Sequence, residues 1–283
     1  MKEFWFLFKQ NKGAVAGLFF VGLVTVFAIL APWLAPFDAT FTDATALRLP
    51  PVWMEGGSST YLLGTDDLGR DQLSRLLHGA RVSLGIGFFV VLFTTFFGVV
   101  IGLISGSLGG KVDSLIMRLM DILMALPSIL LAIVVVAVLG PSLLNTVIAV
   151  GIVSLPSVVR IVRASILVEK KKNYVVASQS FGAGWFRVYV INVLPNCVAP
   201  LLIQASFGFS DGILNAAALG FLGLGAQPPI PEWGTMLSDS RAYIESASWL
   251  VTTPGLCILL VVIAFNLLGD GLRDALDPKA KRN

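Results

Sequence analysis

Gln204, Gly208, Asp211 and Asn215 are spaced by four, three and four residues. At about 3.6 residues per turn, that spacing puts them on one face of a helix. Asp211 is the single acid between Asn196 and Leu219, a stretch otherwise rich in apolar and small residues. An ionisable side chain in such a stretch faces the interior of a helix bundle or a water-filled path. On a path, its carboxylate could meet the ammonium group of a solute. A second role fits the same spacing. Asp211 and Asn215 could hydrogen-bond a neighbouring helix, or Asp211 could lie at headgroup depth.

A second group of residues lies in YVVASQSFGAGWFRVYVINVLPN, Tyr174 to Asn196, a polar, helix-forming segment between two apolar runs. Lys170, Lys171 and Lys172 precede it, with Arg160 and Arg163 further back. Basic loops stay in the cytoplasm, so a structured loop there is placed to meet a soluble protein. Asn173 is a plausible N-cap for a short helix over Tyr174–Phe181. Gly182 follows at the position where a left-handed C-cap is common. Gly184 loosens the entry to a second short helix, which is expected to end before Pro195.

Other chemistries are excluded. Gly106–Val112, GSLGGKV, has a Gly-Gly-Lys but lacks the spacing and the following Ser or Thr of a phosphate-binding loop. The chain is therefore not expected to hydrolyse ATP, and no catalytic residue is assigned. Gly220–Gly225, GFLGLG, follows an apolar helix rather than a strand, so it is not a nucleotide fingerprint. Two cysteines, Cys197 and Cys257, and one histidine, His78, cannot build a zinc site or a disulfide framework. The net charge of +3 reflects basic residues gathered on one side of a membrane, not a nucleic-acid surface.

These residues must be positioned by membrane helices. Hydrophobic residues make up 56% and charged residues 13% of the chain, against about 25% charged in a soluble domain. Charge-free runs at Gly13–Phe37, Val82–Gly110, Ile122–Val159, Val188–Ser210 and Ser246–Gly269 each reach the ~20 residues of a span. Leu139-Gly140-Pro141-Ser142 breaks the longest run in two. Six helices result, over Gly13–Pro32, Arg81–Ser105, Arg118–Leu139, Leu143–Ser165, Asn196–Leu219 and Trp249–Leu268. With the N-terminus inside, fifteen Lys and Arg fall on the inner side, including Lys279, Lys281 and Arg282 near the C-terminus, and five on the outer. Both termini are thus expected in the cytoplasm. Lys2 to Lys12 before the first run is read as the flank of an uncleaved helix.

Residues 33–80 form the first external loop. Within it, Thr65 or Asp66 is expected to cap a helix with Leu68, Leu73, Leu76 and Leu77 near one face. Asp67, Arg70, Asp71 and Arg75 fall elsewhere, an amphipathic pattern suited to the membrane surface. In the second external loop, Pro228, Pro229 and Pro231 cannot continue a helix, and Trp233 suits the membrane interface. Residues 166–195 form the cytoplasmic loop.

That loop resembles the "EAA" loop of ABC importer permeases, in which Glu-Ala-Ala is followed by Gly and then Ile-x-Leu-Pro. Val176, Ala177, Ser178, Gly182, Asn192, Val193, Leu194 and Pro195 occupy the matching positions at the family's spacing. Ala177, Gly182, Leu194 and Pro195 match in type. Val176 stands in place of the Glu, which leaves the family's acidic contact to the ATPase without its side chain. Together with GTDDLGRD, PPIPEWG and NLLGDGLRDALDP, the loop resembles the dipeptide, oligopeptide and nickel branch of these permeases from Phe4 to Pro278. Within that branch it is most similar to the second permease subunit of dipeptide importers.

The resemblance implies an all-α transmembrane domain of a type I ABC importer in a cell inner membrane. It implies a second, homologous permease subunit, two ATP-binding subunits that hold ATP and Mg, and an extracytoplasmic peptide-binding protein as partners. Tyr174, Ala177, Ser178, Gln179, Gly182, Ala183 and Arg187 would contact the ATPase, and Gln204, Asp211 and Asn215 would line the path. Dipeptides are the first expectation for the solute, with oligopeptides, antimicrobial peptides and nickel complexes open beside them. A secondary transporter acting alone and a non-transporting scaffold are the rivals from other classes. Against the first stand the lack of a visible internal repeat and the single buried acid.

Overall fold

The computed structural model describes residues 2–276. Pro278, Lys279, Lys281 and Arg282, used above for the resemblance and the orientation, lie outside them. Among the described residues there are ten α-helices, and the only β pairing is an isolated bridge between Thr65 and Asp71. A short α1 (Lys2–Gln10) leads to α2 (Lys12–Leu34), whose first turn is capped by Asn11 Oδ1 accepting from the Ala14 N–H at 3.1 Å. The long α3 (Gln72–Leu108) ends at Gly109 and Gly110, whose φ values of +67° and +56° turn the chain into α4 (Gly110–Ala125). Next come α5 (Ser128–Leu139), α6 (Leu143–Glu169) and α7 (Asn173–Ser180). A helical run from Arg187 leads into α8 (Val198–Phe221), followed by a short α9 (Trp233–Ser240) and α10 (Trp249–Leu276).

Five helical runs are long and apolar enough to cross a membrane: α2, α3, α6, Arg187–Phe221 and α10. The α4–α5 pair has the required length and hydropathy only when its two halves are taken together, which gives six if the bent pair is one span. It is not the straight helix expected over Arg118–Leu139, because its two halves meet at 96°. Pro127 is the cause. It lacks an N–H, and its ring disfavours helical geometry at the residue before it. Leu126 is accordingly extended, at φ −91° and ψ 141°.

The packing centres on α3, which lies against α2, α6 and α8, while α10 packs on α2 and α8. On α3, Gly98, Gly102 and Gly106 face α6 so closely that an added Cβ would lie 2.5 Å from Val158 Cγ1, 2.7 Å from Val162 Cβ and 3.0 Å from Ile166 Cβ respectively. Small residues at such contacts let helix backbones approach where lipid offers no hydrophobic drive to associate.

The segment at 33–80 departs from expectation. Its helix starts at Gln72, capped by Asp71 Oδ2, which accepts from the Ser74 N–H at 2.8 Å, and it merges into the second span. Thr65 does not cap it, and its hydroxyl instead donates to the Ala46 carbonyl. The charged face does not lie on a membrane surface either. Asp66, Arg70 and Arg75 are buried, while Leu68 is exposed. Asp66 accepts from the Leu68 and Arg70 N–H groups at 2.9 Å and from Arg70 Nε at 2.6 Å, and Arg75 Nε lies 3.4 Å away. One carboxylate with this many donors makes burial of two guanidiniums tolerable.

Trp233 is likewise in the core rather than at the interface. It is 1% exposed, and its indole N–H donates to the Leu76 carbonyl at 3.1 Å. It begins α9, an element the sequence did not announce. Glu232 caps α9, accepting from the Gly234 and Thr235 N–H groups at 2.8 and 2.9 Å. Burial pushes the Glu232 carboxyl above its usual range, against these donors and the Ser83 hydroxyl.

Candidate functional site

All four residues of the α8 face, Gln204, Gly208, Asp211 and Asn215, line one cavity of about 300 Å³. Its other walls carry hydroxyls: Thr94 and Thr95 of α3, Ser128 at the start of α5, and Ser154 and Ser157 of α6. Val91, Val153 and Val158 supply apolar surface. Asp211 is exposed to this space, and no neighbouring helix donates to its carboxylate among the described residues. Asn215 Nδ2 donates at 2.8 Å to the backbone carbonyl of Asp211, one turn back on the same helix. The Thr94 hydroxyl is committed to the Val90 carbonyl at 2.9 Å. The site is thus one carboxylate, two side-chain amides and a set of hydroxyls on a mixed wall, an arrangement that suits a small, hydrated, zwitterionic or cationic solute. Only the α8 share of it was named from sequence. Hydroxyls scattered over three other apolar helices gave no periodic signal of their own.

The loop at 166–195 is built around α7 and its exit. Gly182 is left-handed at φ +78°. The Gly182 N–H donates to the Gln179 carbonyl at 2.9 Å and the Ala183 N–H to the Ser178 carbonyl at 3.1 Å. This pair of bonds is the Schellman cap, which satisfies the last free carbonyls of a helix. At the other end, Asn173 is not the cap. It is the first helical residue, and Lys172 precedes it with no side-chain cap bond. The second helix does not end before Pro195 either. Arg187–Val193 forms a π-helical turn, Leu194–Cys197 a 3-10 turn, and both run on into α8. Pro195 sits near the start of the 3-10 turn, a position that tolerates a proline.

The loop is fastened from beneath. Val175, Val188, Tyr189, Val193 and Cys197 pack with Leu103 of α3 and with Val158, Val162 and Ile166 of α6. Tyr174 donates to Glu169 Oε1 at 2.7 Å and accepts from Asn196 Nδ2 at 3.1 Å. Desolvation, then the Glu169 bond, pushes the Tyr174 phenol up to about 12, so it stays a donor. Asn192 Nδ2 donates to Ser178 Oγ at 3.1 Å. Of the residues assigned to ATPase contact, Ala177, Gln179, Gly182 and Arg187 are exposed, while Ser178 and Ala183 are half-buried. Tyr174 and Ser178 spend their polar groups inside the loop. The outward surface is instead apolar: Phe181 is 91% exposed, and Val176, Trp185, Phe186 and Ile191 are exposed with it. Of these, the sequence singles out only Val176, because the others, as apolar residues beside a membrane span, look like part of the span.

Residues 98–282 match the family described as binding-protein-dependent transport system inner membrane component. The chain belongs to this family. Residues 1–51 match the N-terminal transmembrane domain of oligopeptide transport permease C. The dipeptide transport system permease protein of Escherichia coli K12 is 58% identical over 282 residues, covering 100% of this chain and 94% of that protein. The corresponding protein of Haemophilus influenzae is 56% identical over 282 residues, with 100% and 96% coverage. The di/tripeptide transport system permease of Pseudomonas aeruginosa is 57% identical over 281 residues, with 99% and 93% coverage. Among solved structures, the inward-facing MetNI methionine ABC transporter gives a TM-score of 0.59 at 18% identity, over 72% of this chain and 97% of that one. This permease therefore has the all-helical, multi-pass fold of an ABC importer transmembrane domain.

Proposed function

We propose that the chain is one membrane-spanning permease subunit of an ATP-driven importer that carries dipeptides into the cytoplasm. The observation that carries this reading is the 56–58% identity, over essentially the whole chain, to permeases named for dipeptide transport. The cavity supports it, since Asp211 offers a partner for a peptide ammonium and the surrounding hydroxyls and amides can replace water around a peptide bond. Selection of the solute belongs to an extracytoplasmic binding protein, so the cavity needs polarity rather than a tight pocket.

Both termini and the loop at 166–195 lie on the cytoplasmic side of an inner membrane. A second permease completes the path. Two ATPase subunits hold ATP and Mg and receive α7, with Phe181, Phe186 and Val176 entering the docking cleft in place of an acidic contact. Closure of the ATPase dimer moves α7 and, through it, the bundle. The test is uptake of a labelled dipeptide into proteoliposomes holding both permeases, the ATPases and the binding protein. Uptake should require ATP on the ATPase side. Uptake by this chain alone on an ion gradient would replace the reading with a secondary transporter.

A further inference from the structure

A groove of about 520 Å³ opens between α2, α3, α8 and α10 on the surface of the membrane-spanning bundle. Its walls are Ala28, Ile29, Leu84 and Phe88, with Thr25, whose hydroxyl is spent on the Val21 carbonyl, and Phe209 and Phe265 form its floor, stacked with ring centroids 3.9 Å apart. Gly85 leaves a notch in it, since a Cβ there would meet nothing within 4 Å. The groove holds one charged residue, Arg81. Arg81 is exposed, and among the described residues no carboxylate forms an ion pair with it.

The position of that charge decides what fits. Arg81 is followed by apolar helix through Ser105, which at about 1.5 Å per residue spans the hydrocarbon core. Arg81 therefore sits at headgroup depth at one mouth of the groove, and the apolar walls continue from it toward the bilayer interior. A soluble ligand would find almost no hydrogen-bonding partner there, and a bare apolar helix would leave the guanidinium unmatched. A molecule with an anionic head and a long apolar tail satisfies both ends. We infer that this groove is a binding site for one anionic phospholipid, with its phosphate on Arg81 and an acyl chain lying over Gly85 on the Phe209–Phe265 floor. Guanidinium suits phosphate because its fork of N–H donors matches two phosphate oxygens.

The test is native mass spectrometry of the full chain released from nanodiscs holding equal parts phosphatidylglycerol and phosphatidylcholine. The wild-type chain should retain one phosphatidylglycerol in preference to phosphatidylcholine. Arg81→Gln should lower that preference about fivefold while a lipid is still retained, since one arginine near an anionic surface contributes about that factor. Gly85→Trp puts a large side chain into the notch, where its Cβ meets nothing within 4 Å, and should remove the retained lipid altogether. An unchanged preference in Arg81→Gln, or a lipid still held by Gly85→Trp, overturns the site. So does a Cys at Gly85 that cross-links in the native membrane to a helix of another protein, because the groove would then be a protein interface.

Discussion

Gly182 and Gly184 offer a controlled comparison on one loop. A Cβ at either position meets nothing within 4 Å, so neither substitution creates a clash. Only Gly182 is left-handed, at φ +78°. Alanine forced into that conformation costs about 1–2 kcal/mol. If the chain escapes by opening the turn, it loses the Gly182–Gln179 and Ala183–Ser178 bonds, at roughly 0.5–1.5 kcal/mol each. Either route disfavours the present shape of α7's exit by about 1–2 kcal/mol, a factor of roughly 5–30 in population. Gly184→Ala has no such cost and restricts the unfolded chain, which stabilises by about 0.4–1 kcal/mol. Both effects are confined to the loop turn and are small beside the packing of the membrane helices, so the bundle's thermal stability should change little in either variant. ATPase docking should not be. Titrating purified ATPase subunits onto the permease pair in nanodiscs should show affinity falling about 5–30-fold for Gly182→Ala and holding for Gly184→Ala. Gly182→Val should weaken it further, with ATP hydrolysis uncoupled from uptake. Equal effects at the two glycines, or wild-type docking for Gly182→Ala, would refute the view that the cap geometry presents the docking surface.

Three further outcomes follow from the packing and the cavity. Gly102→Leu places its Cβ 2.7 Å from Val162 Cβ, and overpacking of this kind costs about 1–3 kcal/mol; thermal unfolding in detergent should fall, while Gly22→Leu, whose site is open, should not change it. Asp211→Ala should lower dipeptide uptake per assembled complex without reducing subunit association, and unchanged uptake at equal assembly would return Asp211 to a structural role. A single Cys at Ser58 should react with an impermeant thiol reagent from outside intact cells and one at Ser180 should not; labelling at Ser180 would invert the topology.

What could be read in advance depended on whether a residue's role was local. Gly182 could be placed because a glycine after a short polar helix has one common use, and the α8 face because helical spacing alone defines it. The apolar runs marked the membrane for the same reason, since span length is a property of consecutive residues. Roles that depend on distant partners were misread. Arg70 and Arg75 were assigned to a surface because charges seek water, but Asp66 accepts enough donors to keep both inside. Trp233 was placed at the interface because Trp favours it, but Leu76, far back in the chain, offers its carbonyl to the indole. The 96° bend was within reach. Leu126-Pro127-Ser128 carries a turn signal of the same kind as Gly140-Pro141-Ser142.

The cavity and the loop at 166–195 are both built on α6. Ser154, Ser157 and Val158 line the cavity. Val158, Val162 and Ile166, further along the same helix, pack under Val175, Val188 and Val193 of the loop. Val158 belongs to both groups. Gly98, Gly102 and Gly106 of α3 hold this stretch of α6 at near-backbone distance, so α6 cannot slide along α3 without side chains colliding with the helix backbone. Close-packed contacts of this kind transmit displacement rather than absorb it. At the loop end, Lys170 Nζ donates to the Gly106 carbonyl at 2.8 Å and Trp185 Nε1 to Ser107 Oγ at 3.1 Å, which fasten the loop to the end of α3 as well. A partner that moves α7 therefore moves the ends of α3 and α6 as a pair. The loop also runs on without a break into α8, so under the proposed coupling its displacement would reach the Asp211 face as well as the α3 and α6 wall. Asp211 and the α3 and α6 hydroxyls line the same cavity, so on the proposed reading a loop movement reaches the groups that would hold a solute.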